Sequence, residues 1–172
     1  DVLNSYDDGE LFIEEVFSEN IIFDDNKVKT ANFDNEKGFG LRGVNQDSVN
    51  FYHSSELEES SLKKGISLLT KVKKTGHNEL SYPGHRNIKL YNSENPIETK
   101  NLSEKISKLE ELNNYARKLD PAIKEVSVGL NGNFQKVEIV KKNGSFYTDI
   151  RPLVRLNINI TVEKKGKVES GS

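Results

Sequence analysis

Several residue types are absent from this 172-residue chain. It contains no cysteine, which excludes disulfide bonds, thiolate nucleophiles, iron–sulfur clusters and cysteine zinc sites. No apolar run approaches the roughly 18 residues of a membrane-spanning helix, and no charged-then-apolar leader opens the sequence. These features predict a soluble protein, most simply a cytoplasmic one.

The chain also lacks an excess of basic residues. Lysine and arginine total 25 against 27 acidic residues, which gives a formal net charge of −2. Only five of the 25 basic residues are arginine, the side chain best suited to forked contacts with phosphate. Because counterion release by basic residues supplies most of the affinity for duplex DNA, nucleic-acid binding is disfavoured.

Methionine is absent as well, even at position 1. Apolar residues make up 34% of the chain and charged residues 30%, which is a low apolar content for a domain of this size. We therefore expect the sequence to be part of a longer protein and to pack against a neighbouring segment.

The first third has the pattern of an antiparallel meander of about four or five strands. The predicted strands cover residues 11–17, 21–23, 28–33, 38–44 and 48–53. Asp24-Asp25-Asn26 predicts a turn, because Asn and Asp tolerate positive φ and bond their own backbone. The glycines of the 38–44 strand indicate close approach by another backbone.

Two helices are predicted in the middle of the chain. The first covers about 55–74, with a capping box at Ser55 and Glu58, and the second runs from Asn101 to Pro121. Residues 75–100 between them are broken by glycine and proline and are expected to form a long irregular loop.

The last third returns to strands. Asn131-Gly132 and Lys142-Asn143-Gly144 predict hairpin turns, and residues 154–162 alternate strictly between apolar and polar. The order strands, helix, helix, strands predicts an α+β fold in which an antiparallel sheet, or sheets, carries both helices on one face. We expect a single domain over residues 1–172.

Few residues suit catalysis. The three histidines, His53, His77 and His85, lack the i, i+4 spacing of a helical zinc site, so solvated loop residues are the simpler interpretation. A serine nucleophile beside His53 is disfavoured, because capping already explains Ser55. Gly38-x-Gly-x-x-Gly43 lies within a strand rather than between a strand and a helix, which argues against a dinucleotide site. The lysines at 71–74 and 164–167 are interpreted as a helix end and a frayed tail.

Several collinear stretches resemble one protein family. The most specific is Asp149–Asn157, which reads D-I-R-P-L-V-R-L-N, and it is preceded by Ala116–Pro121 and Val126–Val128. Upstream, Gly38–Val44 is similar to the family's G-x-G-x-R-x-V strand, and residues 90–96 are similar to the stretch before the family's second helix. From about residue 8 to 172 the chain resembles the N-terminal domain of the TldD/PmbA family, and the TldD branch more than the PmbA (TldE) branch.

The resemblance implies a parent protein that is a cytosolic zinc metallopeptidase acting on small or unfolded polypeptides inside a dimeric chamber. Family members pair as homodimers or as TldD–TldE heterodimers, and the family also carries the label "modulator of DNA gyrase". The family's zinc site is an H-E-x-x-x-H helix of the C-terminal domain, and this sequence has no such motif. No catalytic residue, metal ligand or cofactor is therefore assigned to this chain, which we expect to be inactive alone. The expected partners are its own C-terminal catalytic domain, an identical or TldE-like subunit and a peptide substrate, without membrane contact.

Four residues are candidates for an interface or a substrate wall. Arg151, Arg155 and Asn157 lie on or near the polar face of the 154–162 strand and could contact the catalytic domain or the partner subunit, and Arg42 is a weaker candidate. The alternative interpretation of these residues is that they lie on an ordinary solvent-exposed strand face. The alternative function is a stand-alone protein-interaction module that binds through the 75–100 loop and has no peptidase parent.

Overall fold

The computed structural model describes Leu3 and residues 6–46, 48–69 and 90–172. These residues form six strands and two helices, in the order β1 (Asp8–Asp24), β2 (Lys27–Asn45), β3 (Ser48–Ser54), α1 (Glu59–Leu69), α2 (Leu102–Arg117), β4 (Ile123–Lys141), β5 (Phe146–Lys164) and β6 (Lys167–Gly171). The strands form one sheet in the order β3-β2-β1-β4-β5-β6. Pairing is antiparallel, with Arg42 opposite Phe51 between β2 and β3 and Ile160 opposite Gly171 between β5 and β6. The fold is therefore α+β, with an antiparallel sheet and two helices.

The strands are longer and fewer than the sequence predicts. Residues 11–17 and 21–23 belong to one strand, β1, and residues 28–33 and 38–44 belong to one strand, β2. The polar residues between these runs include no glycine or proline that would break the extended backbone. The meander of the first third therefore has three strands rather than four or five.

Two predicted turns are confirmed and one is wrong. Asp25 and Asn26, with φ of 51° and 57°, join β1 to β2, and residues 142–145 join β4 to β5. Asn131 and Gly132 instead lie within β4. A Cβ on Gly132 would stand 2.9 Å from Ile97 Cγ1. The glycine at this position therefore leaves room for the Ile97 side chain and does not form a turn.

Both predicted helices are present, but their first and last residues differ from the prediction. At the start of α2, Asn101 accepts a hydrogen bond from Glu104 N, and the Glu104 carboxylate accepts one from Asn101 N, so a capping box forms at the predicted start of the second helix. Helix α1 begins only at Glu59, so the capping box predicted at Ser55 is wrong. The remainder of the first predicted helix, 70–74, and residues 75–89 of the predicted loop lie outside the described residues.

The lysine-rich stretch at 164–167 is also not a frayed tail. Lys165 and Gly166, with φ of 53° and 74°, form the turn between β5 and the short edge strand β6. Because both turn residues adopt positive φ, the connection has the character of a tight two-residue hairpin.

Packing divides the chain into two compact units. Unit 1 comprises residues 1–16, 36–92 and 135–150. Its core contains Tyr6, Leu41 and Leu69, packed against partly buried neighbours that include Tyr52 and Ile66. The Tyr6 hydroxyl donates a hydrogen bond to the carbonyl of Leu69 at the end of α1, and burial raises the pKa of Tyr6.

Unit 2 comprises residues 17–35, 93–134 and 151–172. Its core is formed by one face of α2 and the strands that face it, and contains Ile21, Phe23, Leu109, Ala116, Val126 and Val128. Asn113, fully buried on α2, donates from Nδ2 to the carbonyl of Val126 at 2.8 Å and fixes the helix on β4. The prediction that residues 1–172 form one domain stays a prediction.

Candidate functional site

An ion-pair cluster surrounds Arg42 in unit 1. Alternation along β1 places Asp8 and Glu10 on one face, and Arg42 on the neighbouring β2 reaches both. Arg42 Nη2 lies 3.0 Å from Asp8 Oδ2, and Arg42 Nε lies 3.0 Å from Glu10 Oε1. Lys141 of β4 contacts the other carboxylate oxygen of Glu10. Arg42, predicted as an interface candidate, is thus half-buried in contacts within its own unit, and its role in an interface stays a prediction.

The charges around Glu10 control its ionisation. Burial alone would raise the pKa of Glu10, but the hydrogen bonds and positive charges of Lys141 and Arg42 outweigh it and leave the pKa below its ordinary value of 4.5. The cluster therefore stabilises the ionised carboxylate. Such a group stabilises the fold above its unfolded pKa, and this stabilisation is lost as the pH falls through the lower folded pKa.

We expect Glu10→Gln to reduce the free energy of unfolding at neutral pH, because Lys141 and Arg42 lose a charged partner. Urea unfolding of both proteins from pH 7 down to pH 3 checks this, and the difference between them should shrink below the ordinary glutamate pKa of 4.5. Glu36→Gln, at an exposed position on β2, is the matched control. A difference that stays constant across this pH range would contradict the assignment.

A buried ion pair fixes the start of α2 in unit 2. Lys105 Nζ donates to Glu19 Oε2 of β1 at 2.6 Å and also to the carbonyl of Ile97 in the segment before the helix. The two side chains are only 7% and 10% exposed. Neither residue was a sequence candidate, because 86 residues separate them and no local spacing connects them. The pair holds the segment before α2 on the sheet.

The predicted interface residues of β5 lie on an exposed stretch of the strand. Arg151 and Arg155 are exposed and Asn157 is half-buried. Arg155 Nε donates to Asn157 Oδ1 at 3.0 Å, so the guanidinium and the amide act as one polar pair. The structure thus places these two together on the face that alternation predicts, opposite Ile158 and Ile160, which pack on the core.

The described residues offer no donor set for zinc. His53 is exposed at the end of β3, with its ring centroid 5.8 Å from that of Phe51. Nowhere in the described part of the chain do three His, Asp or Glu side chains form a group that could hold a metal ion. His77 and His85 lie outside the described residues. The zinc that the resemblance implies does not fit these residues, and we derive no chemical step through it.

An apolar groove between α2 and β5 was not anticipated. We call it the α2–β5 groove; it has a volume of about 630 Å³ and is lined by Leu112, Tyr115, Ala116, Leu119, Ile158, Ile160, Val162 and residues 169–172. Tyr115 and Leu119 are 66% and 62% exposed, although both lie within the predicted second helix. The signal in the sequence is a second set of apolar residues, at 112 and 115 on α2 and at 119 just beyond its end, beside the buried residues 109, 113 and 116.

In the described part of the chain, neither helix has the length and hydropathy needed to cross a membrane.

Two models of family domains match the chain in succession. The model of PmbA/TldA metallopeptidase domain 1 matches residues 9–71, and that of the PmbA/TldA metallopeptidase central domain matches residues 95–172. Together they cover most of the sequence, including Gly38–Val44, Ala116–Pro121 and Asp149–Asn157.

Curated relatives agree with the family models. The chain is 28% identical over 171 residues to a metalloprotease TldD homolog of Buchnera aphidicola from Acyrthosiphon pisum, and 29% identical over 170 residues to one of Haemophilus influenzae. Each match covers 96% of this chain and 35% of the relative. The chain therefore spans about a third of the length of these relatives.

Solved structures share the fold. A protein of Thermotoga maritima described as a modulator of DNA gyrase matches with a TM-score of 0.77 at 14% identity, over 95% of this chain and 38% of that one. TldE of Thermococcus kodakarensis matches with a TM-score of 0.69 at 15% identity, over 97% of this chain and 39% of that one. At such identities the likeness shows the fold alone.

Proposed function

The chain belongs to the TldD/PmbA metallopeptidase family, and we propose that it is the non-catalytic N-terminal region of a TldD-like zinc metallopeptidase. The parent acts on small or unfolded polypeptides in the cytoplasm. Residues 1–172 contribute to the walls of its chamber, to dimerisation or to substrate access. Its subunit partner is an identical chain or a TldE-like one.

The observation that carries this proposal is the identity of the two matched domains. They are the first and the central domain of a metallopeptidase family, and the curated relatives are about three times as long as the chain. The sequence contains no H-E-x-x-x-H motif, which the resemblance assigns to the C-terminal domain. The proposal therefore places zinc and the catalytic glutamate outside residues 1–172.

The polar pair of Arg155 and Asn157 is the proposed point of contact with the catalytic domain or the partner subunit. Arginine is enriched among the residues that dominate interfaces, because its guanidinium donates several hydrogen bonds in a fixed geometry. On β5 the pair is exposed and forms a polar surface that is already ordered before any partner binds. Arg151 lies on the same exposed stretch and shares this proposed role.

Arg155→Ala in the full product of the gene is expected to weaken subunit association or peptidase activity about fivefold or more, since truncating a dominant interface residue costs over ~1 kcal/mol. Analytical ultracentrifugation over a dilution series and a peptide-cleavage assay measure the two effects. Lys124→Ala removes an exposed cation from the opposite face of the neighbouring β4 and is the matched control. Unchanged association and unchanged cleavage in Arg155→Ala would refute the assigned role.

A further inference from the structure

We propose that Asn143 is a site of spontaneous deamidation, in which its side-chain amide is converted to the carboxylate of an aspartyl or isoaspartyl residue. The chain contains two Asn-Gly pairs, Asn131-Gly132 and Asn143-Gly144, and the structure places them in very different surroundings. The modification requires no partner protein and is independent of the peptidase assignment.

The reaction uses the backbone of the chain and water alone. The Gly144 nitrogen bonds to Cγ of Asn143 and the Cγ–Nδ2 bond breaks, so the side-chain nitrogen leaves as ammonia with the proton of the glycine amide. Water then adds to either carbonyl carbon of the succinimide ring and opens it, which gives an aspartyl or an isoaspartyl linkage. The attack is intramolecular, and a glycine after the asparagine puts no side chain in its way.

The Asn143-Gly144 pair is accessible to this reaction. Both residues are exposed in the turn between β4 and β5, where Gly144 has a φ of 78°. A Cβ built on Gly144 would meet no atom of the described residues within 4 Å, so packing does not restrain the turn there. Gly144 N donates to the Lys141 carbonyl at 2.9 Å, and this bond has to open before the nitrogen reaches Cγ. Such an opening at a loop tip costs little free energy.

A second hydrogen bond of the turn favours the attack itself. Ser145 N donates to Oδ1 of Asn143 at 3.0 Å. A donor at this oxygen stabilises the negative charge that develops on it as the nitrogen adds to Cγ. The turn therefore combines an accessible nitrogen with a polarised side-chain carbonyl.

The fold protects the other Asn-Gly pair. Asn131 and Gly132 lie within β4, which has β1 and β5 as neighbours in the sheet. Gly132 is buried, and a Cβ built on it would stand 2.9 Å from Ile97 Cγ1. Rotation of this extended backbone towards attack requires a core strand to open, and the cost of such an opening approaches that of global unfolding. Because the two pairs share the same local chemistry, a difference between their rates measures the effect of the fold.

Deamidation changes the hairpin in two ways. Each product adds one negative charge to a turn that follows Lys141 and Lys142. The isoaspartyl product also routes the main chain through the former side chain and lengthens it by a methylene group. The bonds from Gly144 N to the Lys141 carbonyl and from Lys141 N to the Ser145 carbonyl, both 2.9 Å long, then lose the spacing on which they depend.

Mass spectrometry of tryptic peptides tests the proposal in the full gene product. Trypsin separates the two asparagines, because Lys136, Lys141 and Lys142 lie between them. The folded protein is incubated at mildly alkaline pH and sampled over time, and the conversion of Asn131 and of Asn143 to the acid is measured in each sample. The same protein unfolded in guanidinium chloride is the control, since both pairs are then exposed.

In the folded protein we expect Asn143 to convert about tenfold or more faster than Asn131, because opening the turn costs far less than opening a core strand. In guanidinium chloride the two positions should convert at similar rates. Equal rates in the folded protein would overturn the proposal, and so would faster conversion at Asn131. An Asn143 that stays intact in the folded protein while the unfolded chain converts would overturn it as well.

Discussion

Lys105→Met is expected to lower the free energy of unfolding by about 3–5 kcal/mol, the usual cost of removing one partner from a buried ion pair. The variant keeps an apolar side chain of similar length but leaves the Glu19 carboxylate only 10% exposed and without its cation. The carbonyl of Ile97 also loses its hydrogen-bond donor. Equilibrium unfolding in urea, monitored by circular dichroism, measures the change.

Lys108→Met on the same helix is the matched control. Lys108 forms an ion pair with Glu111 at 2.6 Å, the same distance as in the buried pair, but both of these side chains are 67% exposed. Water screens the exposed pair, so we expect its loss to cost less than about 1 kcal/mol. Replacing Lys105 and Glu19 together by methionine should recover much of the loss, since no unpaired charge remains. Equal destabilisation by the two single lysine variants would contradict the role assigned to burial.

Local chemistry predicted the features that depend on neighbours in the sequence. The start of the second helix, where Asn101 and Glu104 cap each other, and the Asp25-Asn26 turn involve residues at most three positions apart, and both are present. The class of the fold follows from the change between strand and helix periodicity. Such features need no knowledge of distant packing.

Features that depend on distant packing were missed or misjudged. Asn131-Gly132 is a strong turn signal, but in the structure the glycine gives Ile97 room against β4. Ser55 and Glu58 match a capping box, yet α1 begins at Glu59. At Gly132 a tertiary contact overrides the local turn preference. At Ser55 the helix begins later than the local sequence indicates.

The candidate site residues also differ in whether they depend on neighbours in the sequence or on distant packing. Alternation placed Arg155 and Asn157 on one polar face, and they form a pair there. Arg42 was the weaker interface candidate, and local alternation could not show that it contacts Asp8 and Glu10, which are 34 and 32 residues away. Leu119 falls within the predicted second helix, but it lies beyond the end of α2 and is 62% exposed, because a helical repeat shows that residues share a face and not which element covers it.

Zinc is expected in the parent protein and not in this region of it. The resemblance implies a zinc site on an H-E-x-x-x-H helix, where two histidines hold the metal and the glutamate activates water. Residues 1–172 lack that motif, and their described part brings no three donor side chains together. A chelator should therefore abolish peptide cleavage by the full gene product and leave the unfolding curve of the 172-residue chain unchanged.

The most direct measurement is the zinc content of the full gene product and of the 172-residue chain, purified in the same way and measured by plasma mass spectrometry. We predict about one zinc ion per chain in the full product, as in other catalytic zinc sites, and none in the 172-residue chain. Stoichiometric zinc in the 172-residue chain would contradict the account and would make His53, His77 and His85 the first ligands to replace.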